Sequence, residues 1–131
     1  MNPLKVFAVV ALFASATLMF LCKTASAQDP VKASPTTHKM VLENERVRVI
    51  EARIKPGEKA AMHSHPAHVV YVITTSKIKF TYPDGKTEEL EPPAGATLWF
   101  EPVTHAAENV GTSELRVLAI ELKEPPKMEK K

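Results

Sequence analysis

The chain has 131 residues, with 17 basic and 15 acidic side chains, five histidines and a single cysteine. That length accommodates one domain. The basic residues alternate with acids and form no patch, which argues against a nucleic-acid surface, and a lone cysteine excludes an intrachain disulfide framework.

Lys5 gives a positive start, an apolar run fills 6–21, and Ala25-Ser26-Ala27 offers the small-x-small pattern that signal peptidase cuts. The sequence therefore predicts a signal peptide over 1–27 and a periplasmic or secreted protein beginning at Gln28. The apolar run is short for a retained membrane anchor. Leu21 stands where a lipidated Cys22 would need a small residue. Cleavage removes Lys5, Cys22 and Lys23, leaving 104 residues with 15 basic and 15 acidic side chains. This mature chain has no thiol and no remaining membrane segment, and it can bury a modest core.

Residues 28–37, with Pro30, Ser34, Pro35 and two threonines, lack an apolar period and read as a flexible leader or an edge arm. His38 closes it and reads as a surface or hydrogen-bonding histidine. A β-domain is expected over 38–124 and a disordered, lysine-rich tail over 125–131. Residues 39–42 suit a short strand. Arg46-Val47-Arg48-Val49 alternates, but Ile50, Ala52 and Ile54 continue on the opposite parity, which predicts a β-bulge or a change of sheet. Lys55-Pro56-Gly57-Glu58 is a turn. Residues 69–73 are apolar and β-branched, 77–82 alternate cleanly, and Pro83-Asp84-Gly85-Lys86 is a hairpin turn. Residues 96–100 form the next strand, another begins at His105, and the apolar run 114–122 belongs in the middle of a sheet. Short strands at regular spacing, without a capped helical period, predict an all-β jelly roll or barrel of antiparallel strands.

The chemistry concentrates in His63-Ser64-His65-Pro66-Ala67-His68. On an extended chain His63 and His65 leave the same face. His105 could meet them across a barrel. Three neutral imidazoles would hold a divalent ion with open positions, able to activate water or bind a chelating ligand. The residues alone equally admit the polar lining of an empty cavity. His68 and Glu101 are candidate further contacts to metal or substrate, and Tyr71 and Trp99 are candidate cavity-lining residues.

The same residues resemble the cupin superfamily over about 41–122. Gly57, five residues, then His63 and His65 match the start of its first motif. Gly95, Pro102, His105 and Asn109 match its second. The motif's glutamate falls at Val69 or Val70 and is absent, and Thr74-Thr75-Ser76 replaces an expected glycine. The resemblance implies a three-histidine variant holding a divalent metal (Fe, Mn, Zn, Cu or Ni) at His63, His65 and His105, with Asn109 as structural support. It further implies either a dioxygenase-like oxidoreductase acting on a small organic molecule or a non-catalytic binding module, and a homodimer paired through its sheets.

Overall fold

The computed structural model describes residues 28–124, so the expected signal peptide (1–27) and tail (125–131) lie outside the described residues. In chain order the elements are α1 (Pro30–Ala33), β1 (His38–Glu43), β2 (Val47–Ile54), β3 (Lys59–His65), β4 (His68–Thr74), β5 (Ile78–Thr81), β6 (Thr87–Leu90), β7 (Thr97–Phe100), β8 (Val103–Asn109) and β9 (Leu115–Leu122). One sheet runs β1-β2-β9-β4-β7 and the other β3-β8-β5-β6. Every pairing is antiparallel. Each sheet keeps two open edges, so the architecture is an open two-sheet jelly roll rather than a closed barrel.

The sequence dictates most of this through period 2. The apolar run 114–122 is indeed the central strand of its sheet, flanked by β2 and β4. The hairpin between β5 and β6 turns at Gly85, whose φ of +84° few other residues adopt without strain. Tyr82 and Lys86 close it by a 2.9 Å backbone hydrogen bond.

The parity switch near Ile50 has a different origin from the bulge expected there. β2 pairs with β9 without interruption, and the register shift lies in β1, between Met40 and Leu42. Arg48 shares the inward parity of Ile50, Ala52 and Ile54 because it pairs with the buried Glu121. Val47 and Val49 therefore face outward.

The segment 28–37, expected to be a flexible leader, is structured. Asp29 caps α1, its carboxylate accepting from the amides of Val31 and Lys32 at 2.9 and 3.1 Å. The Gln28 carbonyl accepts from the Ser64 amide at 2.9 Å, and Ser34 Oγ accepts from the Ala61 amide at 2.7 Å. These bonds lay the arm along β3.

Between the sheets, Ile54, Ala60, Ile78, Ala107 and Leu115 pack into a core. Ile54, Ile78, Ala107 and Leu115 also line the cavity that the histidines share, and Phe80 links the two groups by packing on the core and stacking on His105. Asn109 is buried beside this core and uses its full amide. Its NH2 donates to the carbonyls of Ile54 and Ser113 at 2.7 Å each, and its oxygen accepts from Ser76 Oγ and the Gly111 amide at 2.8 and 2.9 Å. The structural role expected for Asn109 matches these contacts. Asn109→Ala strands several buried partners at once and should lower stability by about 3 kcal/mol, read as a fall in the urea midpoint. A change below about 0.5 kcal/mol would remove Asn109 from the fold's support.

Candidate metal centre

Five histidines from four strands converge on one cavity between the sheets. His63 and His65 project from β3, His68 from β4, His105 from β8 and His38 from β1. All five are buried, His63 to 1% exposure. His63 and His105 are directly paired across the β3–β8 ladder, and their ring centroids lie 5.0 Å apart. The His63–His65 and His63–His38 rings are 4.8 and 4.9 Å apart, both edge to face. His68 lies 4.7 Å from His65 and stacks on Phe100.

A ring nitrogen from each of His38, His63 and His65 falls within 4.8 Å of the other two, a three-histidine cluster able to coordinate a divalent metal. His105 borders that cluster, 5.5 Å from His65 by centroid, with its ring stacked on Phe80. Of the two roles expected for His38, burial rules out the surface one, while its 2.9 Å contact with Thr37 Oγ1 agrees with the hydrogen-bonding one. His38 opens β1 and faces the cavity because the arm before it is anchored on β3.

Hydrogen bonding fixes which nitrogen each ring offers. The His63 and His68 Nδ1 atoms lie 2.6 and 2.8 Å from the carbonyls of Ala61 and Pro66. A carbonyl only accepts, so both Nδ1 atoms carry the proton. His38 Nδ1 lies 2.9 Å from Thr37 Oγ1, a bond in which either atom can donate. His65 Nδ1 lies 2.7 Å from Glu121 Oε1. With Nδ1 protonated on His63 and His68 and facing a carboxylate on His65, Nε2 is the bare donor in these three rings, and His63 Nε2 is buried without a partner. Such an orphaned lone pair costs free energy unless something fills it. This donor set fits an imidazole-binding divalent ion.

Electrostatics keeps the donors available. Burial, reinforced by the neighbouring imidazoles, pushes His38, His65 and His105 down to about 3. Burial also lowers His63 and His68. All are neutral near pH 7, the form that ligates a metal.

The histidines roof a cavity of about 80 Å³ whose other lining is apolar, including Val70, Val72, Phe80, Leu98, Phe100 and Val117. Tyr71 and Trp99, expected to line it, do not. They occupy the outward parity of β4 and β7 and are 43% and 53% exposed. Val70, Leu98 and Phe100 take the inward positions instead. Glu101 also stands apart, exposed beyond β7 and accepting from Trp99 Nε1 at 2.8 Å. The buried carboxylate near the site is Glu121, which sequence reasoning missed. The available signal was an acid near the end of the apolar run 114–122, on the inward parity of Leu115, Val117 and Ala119.

Among solved structures, the chain is 29% identical to a cupin domain from Bordetella pertussis Tohama I, with a TM-score of 0.61 over 66% of this chain and 92% of that one. A double-stranded β-helix protein from Klebsiella pneumoniae shares 22% identity and a TM-score of 0.53 over 75% of this chain and 91% of that one. An RmlC-like cupin family protein from Methanocaldococcus jannaschii shares the fold at 14% identity and a TM-score of 0.55, covering 70% and 83% of the two chains. No protein-family model and no curated protein matches the chain. The antiparallel jelly roll and its likeness to these structures give the chain a cupin fold, and the convergent imidazoles fit a three-histidine variant of it, without the glutamate that follows the histidine pair in the motif.

Proposed function

We propose that this is an exported protein that holds one divalent transition metal at His38, His63 and His65, with His105 and His68 at the rim, and acts on a small organic molecule. The observation that carries the metal reading is the three-histidine cluster with the Nδ1 hydrogen bonds of His63 and His65, which turn their Nε2 atoms inward and leave that of His63 buried without a partner. A bound ion would supply Lewis acidity or redox chemistry at its open positions. The chain's own contribution is a dry chamber and fixed donors. Apart from imidazole the cavity offers no charged or hydroxyl group. A ligand recognised there is therefore small and largely uncharged, well below the benzene that fills an apolar cavity of about 150 Å³. A metal-dependent dioxygenase or related oxidoreductase suits this setting.

A second reading, a non-catalytic module for a metal or small ligand, is favoured by the lack of any base or nucleophile in the cavity besides the histidines. Titration of chelator-stripped protein with zinc or cobalt tests the metal: about one equivalent per chain is expected, and no binding refutes it. Oxygen uptake by the iron-loaded protein, offered small uncharged organic molecules, then separates enzyme from binding module.

We also propose a homodimer formed through the outer face of the larger sheet. In-register neighbours Leu42, Val49, Ile120, Val69 and Trp99 make an apolar row across all five strands of that sheet. Leu118 and Tyr71 lie opposite one another beside it. Leu42, Tyr71 and Trp99 are exposed, and contiguous apolar area of this kind is uncommon on monomers. The nearby Arg116–Glu51 and Lys123–Glu43 pairs satisfy their charges within one chain, so a second copy of the same apolar row is the fitting partner. Sedimentation at micromolar concentration should give a dimer that Trp99→Glu converts to monomer, and a monomeric wild type refutes the pairing.

A further inference from the structure

We propose that Glu121 is a positioning residue for the metal centre: its carboxylate holds His65 as the Nδ1–H tautomer and so presents Nε2 to the ion. This inference rests on the metal reading above. Three other rings are held by neutral groups close in sequence: His63 and His68 by the carbonyls of Ala61 and Pro66, and His38 by the Thr37 hydroxyl. His65 alone is held by a carboxylate, from a strand 56 residues away. A charge-assisted bond to the far nitrogen raises the basicity of a ligating imidazole and locks its orientation, which neutral acceptors do more weakly.

Glu121 is placed for this task at a cost. It is 4% exposed within an otherwise apolar stretch of β9, where an unpaired carboxylate would be strongly unfavourable. A half-buried cation offsets that cost. Arg48, directly opposite Glu121 in the β2–β9 register, brings Nε to 3.1 Å from Oε2, and its Nη1 pairs with Asp29. Asp29 caps α1 through its other oxygen. A continuous polar chain thus runs Asp29–Arg48–Glu121–His65, from the arm to the centre. That arm leads directly into His38, so the segment expected to be a flexible leader anchors one proposed ligand and delivers another. A role for Glu121 confined to pairing Arg48 would leave Oε1 free of His65, yet the His65 contact is the shorter of the two.

Two measurements decide the proposal. In stripped wild-type protein, two-bond ¹⁵N–¹H couplings should report His65 protonated at Nδ1, and an Nε2–H tautomer would overturn the assignment without any substitution. Glu121→Gln keeps an acceptor of nearly the same shape but removes the charge. It should weaken zinc binding by about 10- to 100-fold while circular dichroism reports the same fold. Equal affinity in Glu121→Gln and wild type would overturn the positioning role. A wild type that binds no zinc would instead refute the metal reading, and the tautomer would still decide whether Glu121 orients His65.

Discussion

Alanine at position 38 should weaken zinc or cobalt binding by more than about 100-fold, beyond what loss of a supporting hydrogen bond costs. Titration calorimetry on stripped and reloaded protein reads this directly. Alanine at position 105 should cost less, a few-fold. The difference follows from the cluster itself. His38, His63 and His65 place three nitrogens within mutual reach, and acceptors at Nδ1 fix the tautomers of His63 and His65. His105 is adjacent, but its ring stacks on Phe80 and it stands outside the three whose nitrogens lie within 4.8 Å of one another. His38→Ala removes one of three donors, whereas His105→Ala leaves all three. Circular dichroism of both variants guards against simple unfolding. If His105→Ala lost binding and His38→Ala kept it, the ligands would be those of the cupin motif, and His38 would only line the wall.

That contrast marks how far the sequence could be read. The two-residue spacing of His63 and His65 survives folding because an extended strand puts them on one face whatever surrounds it. The 114–122 run identified a central strand because a strand flanked on both edges, here by β2 and β4, accommodates so little polarity. His38 was out of reach for a different reason. Its place depends on an arm held by long-range bonds, Ser64 to Gln28 and Ala61 to Ser34, which leave no period in the sequence. Tyr71 and Trp99 were misplaced because aromatic character suggests burial, while parity along β4 and β7 decides direction and sends them outward. Arg48 disguised its strand in the same way. A charged residue on the inward parity looked like a break in phase until Glu121 appeared opposite it.

Parity also decides which of two valines occupies the missing glutamate's position. The motif spacing allows Val69 or Val70. In the structure Val70 lines the cavity with His68 and Val72, whereas Val69 faces outward between Ile120 and Trp99. Val70→Glu should therefore tighten zinc or manganese binding by about tenfold or more. A carboxylate offsets the ion's charge, and the low polarity of the chamber strengthens that attraction. The opposing effect appears when the metal is removed. An unpaired carboxylate among Leu98, Phe100 and Val117 should cost the stripped variant about 3 kcal/mol or more, visible as a lower urea midpoint that metal restores. Val69→Glu places its charge on the outer face and should leave affinity within about twofold of wild type, since an exposed charge is screened by solvent and salt. It should instead weaken pairing between chains if the apolar row is the dimer surface. Tighter binding by Val69→Glu with no change in Val70→Glu would mean that β4 presents its other face to the metal. His68, on the same face as Val70, would then have to leave the cluster as well.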